Sequence, residues 1–329
     1  MKKTLLAVTL ASLFPLAAVA DVVVYGKANV SVQNADEAAL DDSRLEVVSN
    51  ASRIGVKGGE DVNSSLKVIY QFEYQTEVDD GRGSNNQTFA PRNMFLGLQG
   101  TGGTLMAGHF DTPTKVLQEK VDQFNDLEGD INTIFRGETR ASNIVQYTTP
   151  SFGGGFAAAV AYVTEENDGT FVRPGETTDG VSASFAYTSP MFYAGVSVDR
   201  DIEMEGADLV RAVARLTLGS VQLGVLAEQY EVEDTDIDET GALVSALWNI
   251  TDKWALKGQY GTSDVKIAGV ESETASIGLD YKMTKNATLF SYATKVENAL
   301  PRWTETTPPV ITAGYRDDTY VGAGVDFKF

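Results

Sequence analysis

Tyr320-Val321-Gly322-Ala323-Gly324-Val325-Asp326-Phe327-Lys328-Phe329 closes the chain, and its pattern decides the fold class. Successive side chains of a strand point to opposite faces, so Val321, Ala323, Val325, Phe327 and Phe329 share one face. Gly322, Gly324, Asp326 and Lys328 share the other. A soluble sheet has little use for an amphipathic strand that ends on an apolar aromatic, because such an edge invites pairing with other chains. The pattern suits a last strand that pairs with the first, so that the sheet closes on itself and no edge remains.

The same period-two alternation recurs upstream. Val24, Gly26, Ala28 and Val30 alternate with Tyr25, Lys27, Asn29 and Ser31; Val68, Tyr70, Phe72 and Tyr74 alternate with Lys67, Ile69, Gln71 and Glu73. Sixteen such segments fit, from 22–33 and 51–59 near the start to 318–329 at the end; 92–100, 103–111, 140–149 and 240–250 alternate least well. Seven short joins with turn residues, beginning with Gly59-Glu60-Asp61 and Thr101-Gly102, alternate with eight longer polar joins. The longer joins are 34–50, 77–91, 112–139, 165–178, 201–207, 232–239, 264–270 and 298–317, and 112–139 is the longest. An even number of strands, each about 10 residues long, with short and long joins in alternation describes an antiparallel transmembrane β-barrel. Aromatics at strand ends, among them Tyr25, Tyr187, Trp254, Tyr281 and Phe327, suit interfacial girdles, although aromatics are also good strand residues.

The N-terminus reads as an export signal. Lys2 and Lys3 precede an apolar run from Leu5 to Leu16, and Ala18-Val19-Ala20 fits a small-x-small cleavage site. The expected division is a cleaved signal peptide over 1–20 and one barrel domain over 21–329. The apolar run is shorter than the ~20 residues a spanning helix needs. Net charge is −20 and becomes −22 without Lys2 and Lys3, so nucleic acid is excluded as a partner. The acids cluster in candidate loops, at Asp36 to Asp42, Glu165 to Asp168 and Glu231 to Glu239. Singly these runs read as solvated faces; together they form a rim that would attract cations, divalent ones included. No cofactor is expected. The chain has one histidine, His109, and no cysteine, with neither a G-x-S-x-G elbow nor an H-E-x-x-H motif. An exported hydrolase on a β-scaffold thus has only unpaired carboxylates to draw on.

Several strings resemble the Gram-negative general porins, and more closely their non-enteric branch. Val24-Tyr25-Gly26-Lys27 is similar to that family's first strand and Ser52-Arg53-Ile54-Gly55-Val56-Lys57-Gly58 to its second. Gly108-His109-Phe110-Asp111-Thr112-Pro113 and Val121-Asp122-Gln123-Phe124-Asn125-Asp126 resemble the approach to, and the body of, its pore loop. The resemblance covers essentially all of 21–329. It implies a homotrimeric, 16-stranded barrel with short periplasmic turns and long extracellular loops. The barrel would sit in the Gram-negative outer membrane, in contact with its lipid, lipopolysaccharide included. Passive diffusion of ions and small hydrophilic solutes is the implied activity, and no catalysis.

The resemblance also implies roles for particular residues. Loop 3, here 112–139, would fold into the pore and present Glu119, Asp122, Asp126, Glu128 and Asp130 to a basic ladder of Lys27, Arg53 and Arg92. Arg140 matches the ladder more loosely, and Gln146 stands at a position that is basic in some relatives. The terminal strand, with Tyr320, Phe327 and Phe329, would be the signal read by the barrel-assembly machinery. Alternation independently places Lys27, Arg53 and Lys57 on the polar face of their strands, and Arg211 and Arg215 on one face of theirs, where they would line the lumen. An arginine facing lipid at mid-depth would cost about 2–4 kcal/mol. The acidic surplus suggests a modest preference for cations. Alternatives are a channel specific for sugar, organic acid or phosphate, and a plugged structural barrel.

Overall fold

The computed structural model describes residues 22–38, 43–81, 87–118, 121–164, 179–235, 237–265, 270–297, 302–303, 311–312 and 317–329. The strands are β1 (Val23–Asp36), β2 (Arg44–Ser49), β3 (Arg53–Asn63), β4 (Leu66–Gln75), β5 (Ala90–Gly100), β6 (Gly103–Asp111), β7 (Arg140–Thr148) and β8 (Phe156–Val163). There follow β9 (Gly180–Thr188), β10 (Phe192–Arg200), β11 (Ala207–Leu218), β12 (Val221–Val232), β13 (Asp238–Asn249), β14 (Trp254–Val265), β15 (Val270–Lys282) and β16 (Ala287–Glu297). A two-residue pair, β17 (Arg302–Trp303) with β18 (Ile311–Thr312), precedes the last strand, β19 (Asp317–Lys328). One short helix, α1 (Pro113–Gln118), opens the loop after β6.

The barrel strands pair antiparallel around the sheet, β16 with β19, and β19 returns to β1, with Val30 opposite Val325 and Lys27 opposite Lys328. Phe329 extends the seam: its N–H donates to Gly26 O at 3.1 Å and its O accepts from Gly26 N at 2.9 Å. A Cβ on Gly26 would lie 2.3 Å from the tip of the Phe329 ring, so only glycine lets this aromatic lie across the closure. Phe327 and Phe329 stack outward with centroids 6.2 Å apart. Tyr320, grouped with them in the sequence, points inward and is buried beside Phe290, Tyr292 and Phe124. It lies an odd number of residues from Phe327, so alternation itself puts it on the other face.

The barrel has 16 strands, because β2 and β3 are two parts of one. β2 pairs with Val30–Ala35 of β1 and β3 with Val23–Lys27. The break falls at Asn50–Ser52, where Ala51 has φ 48° and Ser52 Oγ exchanges hydrogen bonds with the Asn29 backbone at 3.0 and 3.1 Å. The expected 34–50 loop is therefore mostly strand. The first short turn also lies later than Gly59-Glu60-Asp61: β3 runs to Asn63, whose side chain accepts from Ser65 N at 2.9 Å. Gly59 sits in the strand because Val68 O would be only 2.5 Å from a Cβ there.

Outward positions such as Val196, Val210, Val244 and Ile277 are exposed and apolar. The buried core lies inside the barrel. Leu117, Val121, Ile131, Ile134 and Phe135, all from the loop after β6, pack on Tyr193, Val213, Leu226 and Leu243 of the wall. At roughly 25 cal/mol per Å² of apolar surface removed from water, this patch stabilises the loop against one side of the barrel. Gly241 and Gly261 make the approach possible: Cβ atoms there would lie 2.5 Å from Phe135 and 2.6 Å from Ile134.

Candidate functional site

The long loop between β6 and β7 folds into the barrel and leaves a passage along one wall. That passage, a cavity of about 660 Å³, is lined by residues of the β2–β7 wall and by the loop itself, and among the described residues by none beyond Arg140. The apolar packing of the loop on β10–β13 accounts for this one-sidedness.

Asp126 stands at the loop's edge and is the meeting point of the two sides. Its Oδ2 accepts from Lys27 Nζ at 2.8 Å and from Arg53 Nη2 at 3.0 Å. Burial alone would raise this carboxyl, but Lys27 and Arg53 outweigh it and hold Asp126 below the usual carboxylate range. Its backbone takes φ 66°, a tight reversal secured by its N–H donating to Asp130 Oδ2 at 2.8 Å.

The wall facing the loop is ordered by a relay. Gly55 leaves space for Tyr25 to lie flat, with its ring 2.5 Å from where a Cβ would be. Tyr25 OH then donates to Glu73 Oε2 at 2.9 Å, and Glu73 Oε1 accepts from Arg92 Nε at 3.1 Å. Arg92 Nη1 donates to Gln75 Oε1 at 2.8 Å. Arg140 Nη2 pairs with Asp111 Oδ1 at 3.0 Å, and its Nε donates to Asn93 Oδ1 at 3.2 Å. Lys57 lies over the Tyr25 ring at 5.0 Å, on the lumen side of β3.

The remaining site residues expected from sequence divide sharply. Glu128 borders the passage and accepts from Gln33 Nε2 at 2.9 Å. Asp122 is buried inside the loop, where it accepts from Phe124 N at 2.9 Å and Gln259 Nε2 at 3.1 Å, so it does not face solutes. Burial pushes its carboxyl up to about 6. Asp130 is likewise largely buried and caps the short turn Ile131–Thr133; burial, then the nearby Asp122, raises its carboxyl well above the ordinary value. Glu119 lies outside the described residues. Arg211 does not line the lumen: it is fully buried under the loop, paired with Glu138 and Glu228. Arg215 is half-buried on the same face of β11, where its Nε has no hydrogen-bond partner. Gln146 is buried and donates to Thr148 Oγ1 at 3.1 Å.

Lys115, Glu73, Asp111 and Glu138 belong to the passage and were not singled out from sequence. Asp111 lies inside the quoted Gly108–Pro113 string; Glu73 carried only the signal of a carboxylate on a lumen-facing position. Among the described residues no three or more His, Cys, Asp or Glu side chains converge to hold a metal ion.

A family model for Gram-negative porins matches residues 7–299. The chain belongs to the Gram-negative porin family. The major outer membrane protein P.IB of Neisseria meningitidis serogroup B is 27% identical, over 87% of this chain and 90% of that protein. Among solved structures, an anion-selective porin from Comamonas acidovorans superposes with TM-score 0.76 at 20% identity, over 94% of this chain and all of that one. The OmpF porin of Salmonella typhi, solved with daunomycin, gives TM-score 0.71 at 18% identity, over 94% and 98%. This porin is therefore a barrel of the Gram-negative outer membrane, a channel protein and not an enzyme. The apolar outward face of its strands is the face that meets lipid.

Proposed function

We propose that this porin passes ions and small hydrophilic solutes by passive diffusion through the passage between loop 3 and the β2–β7 wall. The observation that carries the reading is the placement of Asp126 against Lys27 and Arg53 at that passage. Acidic residues on the loop and guanidinium groups on the wall set a transverse field, which orients polar solutes and separates the paths of anions and cations. A low-dielectric wall makes these few charges count for more than they would in bulk water.

The passage is bordered by the cations Arg53, Arg92, Lys115 and Arg140 and by the carboxylates Glu73, Asp111, Asp126, Glu128 and Glu138, with the raised carboxyl of Asp130 at its buried edge. With the chain's net charge of −20, this favours a weak preference for cations. Reversal potentials across a planar bilayer in a salt gradient test it, and clear anion selectivity would overturn it. A channel specific for a sugar, an organic acid or phosphate would instead show conductance that one such solute blocks at low concentration. Export by cleavage after Ala20, assembly as a homotrimer, contact with lipopolysaccharide, and reading of Phe327 and Phe329 by the assembly machinery complete the proposal. The Vibrio cholerae OmpT structure described as a trimer form, with TM-score 0.69 and 16% identity, shares the fold.

A further inference from the structure

Behind loop 3, on the side away from the passage, charged groups meet out of water. Arg211 on β11 is held there through all three of its guanidinium nitrogens. Nε donates to Glu228 Oε2 at 2.7 Å, and Nη2 lies 2.6 Å from the same oxygen. Nη1 donates to Glu138 Oε1 at 2.7 Å and to Thr114 O at 3.5 Å, and Nη2 also donates to Arg136 O. Glu228 belongs to the barrel wall, while Thr114, Arg136 and Glu138 belong to loop 3. The lattice continues through Arg136, whose fork meets Glu239 of β13 at 2.9 and 2.8 Å and whose N–H donates to Glu228 Oε1 at 2.8 Å.

The apolar patch already holds the loop on this wall, and a buried ionic lattice is weak evidence for added stability. Its distinctive property is direction. Apolar packing lets a loop slide, whereas a planar guanidinium held by two carboxylates and two backbone carbonyls fits one placement. We infer that Arg211 is the positioning residue that sets the aperture of the channel. It fixes the returning limb of loop 3, Arg136 to Glu138, to β11 and β12. It thereby fixes the distance between the Asp126 edge and the basic wall opposite. The same lattice holds Glu138 at its buried oxygen while Lys115 Nζ donates to the Glu138 carbonyl at 2.9 Å on the passage side. The inference rests on the reading of the chain as a channel.

The test compares the native protein with Arg211→Gln, Arg211→Lys and Glu138→Ala in planar bilayers, each first checked for a folded barrel by its heat-modifiable gel mobility. Native protein should give steady unit currents; their absence would overturn the channel reading and not the role of Arg211. In folded Arg211→Gln, open-channel noise should rise, the voltage needed for closure should fall, and the neutral-polymer size cut-off should shift. Arg211→Lys keeps the charge without the fork and should fall between the two. Glu138→Ala removes the loop-side carboxylate and leaves the wall pair with Glu228 intact, but it also takes a charge from the passage. Compared with Glu128→Ala, which takes a passage charge without touching Arg211, it decides the matter if Arg211→Gln does not fold. Native noise, closing voltage and polymer cut-off in a folded Arg211→Gln, or in Glu138→Ala should Arg211→Gln fail to fold, would overturn the inference.

Discussion

Replacing Asp126 by asparagine removes one negative charge from the contact that loop 3 makes with the basic wall and changes little else. The carboxylate is 2.8 Å from Lys27 and 3.0 Å from Arg53, so its loss leaves two cations without their shared counter-charge. An ion passing about 5 Å away in a water-like dielectric feels roughly 0.8 kcal/mol from one unit charge. Screening at physiological salt cuts that to about half. A cation then loses about 0.4 kcal/mol of stabilisation and an anion gains about as much, so the cation-to-anion permeability ratio should fall roughly fourfold. Asp126→Lys should move the ratio about twice as far on a logarithmic scale. The loop itself should stay in place, because its apolar patch and the Arg211 contacts lie on the opposite side. Reversal potentials in a salt gradient give the ratio directly. An unchanged ratio, or a shift toward cations, would refute the placement of Asp126 beside the ion path.

Acid should tighten the inner packing of loop 3. Asp122 is pushed up to about 6 in place but has the ordinary 3.8 when released, so the seated loop binds more protons. Its seating weakens as pH rises from about 4 to about 6, by up to about 3 kcal/mol over that window. Hydrogen-exchange protection of the Phe124 and Ile131 amides should thus be higher at acid pH than at neutral pH, and Asp122→Asn should flatten that slope; protection that falls on acidification would contradict the burial assigned to Asp122. Phe135→Ala empties a buried site against Gly241 and should cost the loop about 3–5 kcal/mol, read as faster protease cleavage within 112–139 while the barrel stays folded. Gly26→Val should lower the yield of folded barrel on a heat-modifiable gel, with Phe329→Ala in the same chain restoring part of it; native yield from the single variant would show that the seam tolerates a side chain.

Much of the wall can be read from alternation, and the exceptions have identifiable physical causes. Strand 240–250 alternates poorly because Leu243, on its inner face, packs on the loop, so both faces are apolar. Segment 103–111 is blurred in the same way, since Met106 and Phe110 pack inside the barrel with Ile144 and Val163. In 140–149 the register breaks at a bulge where Asn143 has φ 54°. The first long join differs from the expected loop because β1 and β2 continue past the apolar band with polar residues such as Asn34 and Glu46.

The site is legible wherever a charge stands on the polar face of a strand and nothing from loop 3 covers that face. Arg53, Arg92 and Arg140 border the passage, and Asp126 meets Arg53 together with Lys27. Arg211 and Asp122 were misplaced because strand period tells which face a side chain takes, and not what covers that face. The covering element is loop 3, and its contacts with β10–β13 are long-range in sequence. A carboxylate count on 112–139 therefore could not separate Asp126, at the edge, from Asp122 and Asp130, which satisfy the loop's own backbone N–H groups.

Where ions pass is the central test of a channel between loop 3 and the basic wall. The chain has no cysteine, so single thiols can be introduced cleanly. Single-channel current should be recorded from Asn125→Cys, exposed on the passage edge of loop 3, and from Val160→Cys, exposed on the outer wall, before and after a bulky thiol reagent. The expected result is a stepwise fall in unit current for Asn125→Cys alone. Unit currents in both variants that the reagent leaves unchanged, or no unit currents at all, would contradict a channel running between loop 3 and the basic wall.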